Sequence, residues 1–114
     1  MRDPRLYLAE MLAAADAVED FVKGMEFDAF LLDDKTSSAV VRKFEIIGEA
    51  SKNISSTLKE RYPEIPWKEM AGMRDKVIHL YFGVDREAVW LVVKERIPSL
   101  KPLIEEILRD LEAM

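Results

Sequence analysis

Three features of this 114-residue chain predict an all-α bundle. Apolar residues recur at spacings of three and four along most of it, no alternating strand pattern with hairpin turns appears, and glycine and proline fall where helices should end. The first helix is expected from about Pro4, a favourable first-turn residue, to Lys23. Its buried stripe reads Leu8, Met11, Leu12, Ala15, Val18 and Val22, and Gly24 suits a C-terminal cap. A short apolar turn, Phe27 to Leu32, leads through Asp33-Asp34 into a second long helix spanning roughly Thr36 to Glu60. There Val40, Phe44, Ile47, Ser51, Ile54 and Leu58 follow the spacing of a buried stripe. Arg42, Glu45, Glu49 and Lys52 share another side and read as a solvated face. Gly48 inside this helix costs about 1 kcal/mol against alanine, which points to close approach by a neighbouring helix.

Tyr62-Pro63-Glu64-Ile65-Pro66 is a loop bracketed by two prolines, and Pro66 can start a third helix reaching His79 or Tyr81. Gly83 breaks it. Asp85 then caps the next helix, with Val84 and Val89 spaced as a hydrophobic staple. Ile97-Pro98-Ser99 kinks or splits the remainder of the chain, and a last helix carries Leu100, Leu103, Ile104, Ile107, Leu108 and Leu111. The expected architecture is one domain over residues 1–114, an up-and-down bundle of four to six helices joined by short loops. At this length a single core can bury roughly two-thirds of the unfolded surface.

Composition narrows the function. Apolar residues make up 49% and charged residues 34%, the mix of a compact soluble protein and not of a disordered one. No cysteine is present, which excludes a disulfide scaffold or thiolate metal site and suits a cytoplasmic setting. The charged start Met1-Arg2-Asp3-Pro4 carries no secretory signal pattern, and no apolar run is long enough to span a membrane. A net charge of −5 argues against general coating of nucleic-acid duplexes, although 17 basic residues leave room for a local basic cleft. Only four glycines occur, with no phosphate-cradling loop among them, and no metal-ligand cluster is spaced for binding. No cofactor or metal is expected. The Asp33-Asp34 pair is read as a loop and helix start.

The chemistry concentrates in Arg74-Asp75-Lys76-Val77-Ile78-His79-Leu80-Tyr81. His79 is the sole histidine, hence the obvious proton carrier near neutral pH. On a helix Asp75 and His79 stand four apart on one face, so the carboxylate can orient the imidazole and favour its protonated form. Arg74 supplies a permanent guanidinium fork suited to phosphate. It sits roughly 140° around the helix from His79, in line with Trp67, Ala71, Ile78 and Tyr81. Convergence of both groups on one phosphate is easiest if a second copy contributes across a two-fold axis. On spacing alone the same stretch also reads as a helix surface with an ion pair. Tyr81 and Phe82 then serve as core or interface aromatics, and Met70 and Met73 as packing.

Arg74 followed after four residues by His79 resembles the motif of the HEPN superfamily, and Tyr81 two residues beyond extends the likeness to its HepT-like branch. Val41-Arg42-Lys43-Phe44-Glu45-Ile46-Ile47-Gly48-Glu49-Ala50, Pro66-Trp67, Gly72-Met73 and Tyr81-Phe82-Gly83-Val84-Asp85 carry it over almost the whole chain. The resemblance implies an all-α homodimer acting as a metal-independent ribonuclease, usually the toxin of a type VII-like toxin–antitoxin pair. It implies a minimal nucleotidyltransferase as antitoxin, silencing the toxin by AMP transfer to Tyr81. Asp75 departs from the asparagine frequent in the family: the acid strengthens orientation of the histidine but repels a nearby phosphate.

The expected function is therefore cleavage of single-stranded RNA, with tRNA one candidate substrate. Arg74 and His79 are the catalytic residues and Asp75 the orienting one, in a groove at a dimer interface with further association left open. Two rivals stand beside it. One is a module that binds a nucleotide or antitoxin without cutting. The other is a structural dimer subunit in which Arg74 pairs with an acid such as Glu49.

Overall fold

The computed structural model describes residues 3–73 and 86–113. Among them the elements are α1 (Pro4–Phe21), α2 (Phe27–Leu32), α3 (Asp34–Lys52), α4 (Ser56–Arg61), a helical stretch α5 at 67–73, α6 (Arg86–Leu91), a π-helical turn (Val92–Arg96) and α7 (Ile97–Glu112). α6, the π turn and α7 follow one another without a break, so the described residues form six helical units and no strand. The all-α expectation holds.

Each boundary has a local cause. Asp3 caps α1, its carboxylate accepting from the Arg5 amide at 2.9 Å with Pro4 in the first turn. The helix stops at Phe21, and Gly24 turns the chain away with φ +78°, a left-handed conformation open to glycine. Asp33 caps α3: its carboxylate accepts from the Thr36 amide at 2.9 Å and hydroxyl at 2.7 Å. The Asp33-Asp34 pair is thus a helix start.

The expected helix from Thr36 to Glu60 is two helices. α3 ends at Lys52, where the Asn53 side chain donates to the Glu49 carbonyl at 2.9 Å. Ser55 then opens α4 with its hydroxyl accepting from the Leu58 amide at 3.2 Å. Asparagine and serine offer the backbone side-chain partners that a continuous helix would not use, and three residues of turn result. The apolar stripe survives because Ile54 and Leu58 are still buried.

At Ile97-Pro98-Ser99 the chain widens and does not split. The Ile97 amide reaches back five residues to the Val92 carbonyl, the signature of a π turn. Pro98 lacks an amide to donate, so the α-helical ladder is already interrupted there, and α7 resumes with that proline in its first turn.

α1 packs against α3 and α7, while α2 bridges α3 and α6. The core collects Leu8, Met11, Val18, Val40, Phe44, Ile47, Met70, Val93, Ile97, Ile104 and Ile107, all nearly or wholly withdrawn from solvent. The stripes expected on the first, second and last helices face inward. Leu12, Leu103, Leu108 and Leu111 pack on their margin. Lys101 of α7 reaches α1, with Nζ 2.6 Å from Asp16 Oδ1 and 2.5 Å from Glu19 Oε1. The hydrogen bonds to Asp16 and then Glu19 hold this ammonium above the ordinary lysine range. The expected end of the third helix, the Gly83 break, the Asp85 cap and the Val84 half of the staple lie outside the described residues.

Candidate functional site

Arg74, Asp75, His79 and Tyr81 lie outside the described residues, and the described elements that flank them in the chain are α5 and α6. On the N-terminal side stands α5, which reaches Met73, the residue before Arg74. Its first turn closes with the Met70 amide donating to the Pro66 carbonyl at 3.0 Å. Met70 and Met73 are buried and serve as packing. Trp67 is half-buried, and its indole Nε1 donates to the Tyr62 carbonyl at 3.0 Å. Lys59 Nζ stands 6.0 Å from the Trp67 ring centroid, at the edge of cation–π range.

Tyr62 itself is buried, and its hydroxyl donates to Asp110 Oδ2 on α7 at 2.8 Å. That bond, followed by burial, raises the phenol above its ordinary range, so the hydroxyl remains a donor well into alkaline solution. A second tie joins α5 to the π turn, where Arg96 Nε lies 2.9 Å from Glu69 Oε1. Both partners are substantially exposed, which makes this the weaker tie.

On the C-terminal side Arg86 opens α6. Its two terminal nitrogens reach the Leu31 carbonyl at 2.6 Å and Asp34 Oδ1 at 2.8 Å, fastening the start of α6 to the junction of α2 and α3. Trp90 on the same helix meets Phe30 at 5.0 Å and Phe27 at 6.2 Å between ring centroids. Lys94 stands 4.8 Å from the Trp90 centroid. Segment 74–85 therefore departs from and returns to elements pinned by both aromatic packing and hydrogen bonds.

A further feature escaped the reading of the sequence. Arg42, Glu45, Glu49 and Lys52 form the solvated face expected of them, and the first three also line a groove. With Ile46, Ala50 and Asn53 these three form one wall of the groove, of about 450 Å³, whose other wall is Tyr7 and Glu10 of α1. Arg42 Nη1 lies 3.3 Å from Glu45 Oε2. The i, i+3, i+7 spacing gave the shared face, but nothing local indicated that α1 would stand across from it. Among the described residues no group of three His, Cys, Asp or Glu side chains is arranged to hold a metal, and no helix is long and apolar enough to cross a membrane.

Comparison with known proteins decides the family. Residues 11–107 match the family described as ribonuclease HepT-like. The chain belongs to the HepT-like ribonuclease family. Among the relatives of this HepT-like chain is one named "Probable ribonuclease HepT" in Thermococcus cleftensis, 52% identical over 106 residues that cover 93% of this chain and 96% of the relative. One from Methanocaldococcus jannaschii, whose name carries the designation RNase, is 46% identical over 111 residues, 97% of this chain and 92% of the relative. Another with the same designation, from Caldanaerobacter subterraneus, is 43% identical over 109 residues, covering 96% and 97%. No solved structure matches this HepT-like chain significantly.

Proposed function

We propose that this protein is a metal-independent endoribonuclease whose chemistry is carried by Arg74 and His79, with Asp75 as the orienting acid. One observation supports it above the rest: the Arg74–His79 spacing sits in a chain matched to the HepT-like ribonucleases over residues 11–107. In this reaction a base withdraws the proton of a ribose 2′-hydroxyl, the 2′-oxygen attacks phosphorus, and the 5′-oxygen leaves with a proton from an acid. The products are a 2′,3′-cyclic phosphate and a free 5′-hydroxyl. His79 serves as base or acid, and Arg74 neutralises charge growing on the phosphoryl oxygens. The chain has one histidine, so the second proton-transfer group comes from a second copy in a homodimer.

The same reading assigns the protein to a toxin–antitoxin pair with a minimal nucleotidyltransferase as antitoxin, tRNA as one substrate, and Tyr81 as the acceptor of AMP. AMP at that position adds bulk and negative charge two residues past His79 in the chain and so opposes RNA.

The test is digestion of single-stranded RNA by wild type, His79→Ala and Arg74→Ala in the presence of EDTA. Wild type should cut RNA and leave DNA intact, yielding cyclic phosphate ends, and each variant, verified folded, should lose cleavage. Undiminished cutting by His79→Ala discards the assignment. For Tyr81, incubation with the nucleotidyltransferase and ATP should add one AMP by intact mass, absent from Tyr81→Phe.

The net charge of −5 favours a second reading, a module that binds a nucleotide or the antitoxin without cleavage. Calorimetric titration with mononucleotides separates the two, because tight binding with no RNA cleavage supports the module.

A further inference from the structure

Tyr62 is where three elements meet. It closes α4, its hydroxyl bonds Asp110 on α7 at 2.8 Å, and its carbonyl accepts both the Ile65 amide at 3.2 Å and the Trp67 indole at 3.0 Å. Trp67 is the first residue of α5, whose described part ends one residue before Arg74 in the chain. The loop between Tyr62 and Trp67 contains two prolines, neither of which has an amide to donate. One residue's two polar groups thus link α7 to the first residue of α5.

Packing alone does not call for this hydroxyl. Phenylalanine would fill the same buried volume and avoid placing a phenol where it must find a partner. What the hydroxyl adds is direction, since a bond to a fixed carboxylate holds the ring, and with it the Tyr62 backbone, in one orientation.

We infer that Tyr62 is a positioning residue for the nuclease site: through Asp110 on one side and Trp67 on the other, it fixes α5, the element that precedes Arg74 directly in the chain. This rests on the proposed nuclease reading. A small misplacement of a group that acts on charge developing in the transition state lowers kcat with little change in KM, and shifts on the order of 1 Å can cost up to ~100-fold.

The experiment compares wild type with Tyr62→Phe, Asp110→Ala, Asp110→Asn and the Tyr62→Phe/Asp110→Ala double variant. Cleavage kinetics on a short RNA are read alongside hydrogen exchange of the 67–73 amides. Tyr62→Phe and Asp110→Ala should each lower kcat roughly tenfold with KM within about twofold. The double variant should fall no further, and Asp110→Asn, which keeps an oxygen acceptor, should stay within about twofold of wild type. Exchange at 67–73 should quicken in the first two and not in Asp110→Asn. A merely structural hydroxyl would lower melting temperature without this kcat–KM split or the rescue by asparagine. Wild-type kcat in both Tyr62→Phe and Asp110→Ala overturns the inference. If wild type itself cuts no RNA, the nuclease reading fails, and exchange alone then decides: unchanged protection at 67–73 in Tyr62→Phe overturns the positioning role too.

Discussion

Lys101 Nζ lies 2.6 Å from Asp16 Oδ1, joining the last helix to the first through a lysine that is three-quarters shielded from water. Glu19, one turn further along α1, accepts from the same ammonium. Lysine pKa is raised in the folded protein by these two hydrogen bonds, and this fixes the sign of the pH dependence. The contribution to stability is complete below the unfolded lysine value of about 10.5 and is lost as pH climbs through the higher folded value. Lys101→Met should therefore lower stability at neutral pH by about 1 kcal/mol, since Asp16 and Glu19 remain partly hydrated. That corresponds to roughly 3–6 °C in melting temperature for a chain of this size. Thermal melts of both proteins at pH 7 and pH 11.5 check it. The gap should narrow at the higher pH, and an equal gap at both contradicts the assignment.

Much of the fold was legible because helical spacing is a direct record of burial. Leu8, Met11, Ala15 and Val18, then Val40, Phe44 and Ile47, then Leu100, Ile104 and Ile107 all repeat at three and four, and all are buried. Asn53 and Ser55 were harder to read: the stripe runs unbroken through Ile54 to Leu58, and apolar periodicity cannot show that two polar side chains capture the backbone between them. The π turn was invisible for a related reason, because Pro98 announces a disturbed ladder without saying whether the helix stops or widens. Sequence pattern reports on each helix singly. The groove between Tyr7 and Glu10 on α1 and Arg42 and Glu49 on α3 depends on two helices together, and so had no local signature. The motif residues of the candidate site were picked out by residue type and spacing. The Tyr62–Asp110 and Arg86–Leu31 anchors around them join residues distant in the chain and could not be read that way.

Two glycines should respond to the same substitution with opposite sign. Around both Gly24 and Gly72 a Cβ would meet nothing within 4 Å, so packing does not distinguish them. Gly24 has φ +78°, where an L side chain meets its own backbone, and Gly24→Ala should cost about 1–2 kcal/mol. Gly72 is in the helical stretch 67–73 and has no positive φ. Gly72→Ala should gain roughly 0.4–1 kcal/mol by restricting the unfolded chain and favouring helix. Urea denaturation midpoints measure both, and two shifts of the same sign would refute the backbone argument.

Ser51 offers a gain of a less intuitive kind. It sits on the inward stripe of α3 with no solvent exposure, and its hydroxyl oxygen has no hydrogen-bond partner. A buried hydroxyl without a partner costs about 1–3 kcal/mol, while alanine removes the polar atom and leaves only a very small void. Ser51→Ala should thus be neutral or stabilising by up to about 1 kcal/mol, whereas most buried truncations destabilise. A loss above about 1 kcal/mol in the same denaturation assay would mean that the hydroxyl finds a partner in solution.

Arg86 should matter chiefly for its bond to a backbone carbonyl, not for its ion pair. Its partner Asp34 is 85% exposed, and a pair of that kind contributes only tenths of a kcal/mol. The Leu31 carbonyl belongs to the last turn of α2, where helix carbonyls lack partners within the helix, and it receives a charged donor at 2.6 Å. Arg86→Ala is therefore expected to cost about 1–2 kcal/mol, and Asp34→Ala about 0.5 kcal/mol or less. A double-mutant cycle between them should return a coupling below roughly 0.5 kcal/mol. Arg86→Lys should recover little, since one ammonium cannot span the carbonyl and the carboxylate as the guanidinium fork does. A coupling energy as large as the whole Arg86→Ala effect would assign the anchor to Asp34 and leave the carbonyl no part in it.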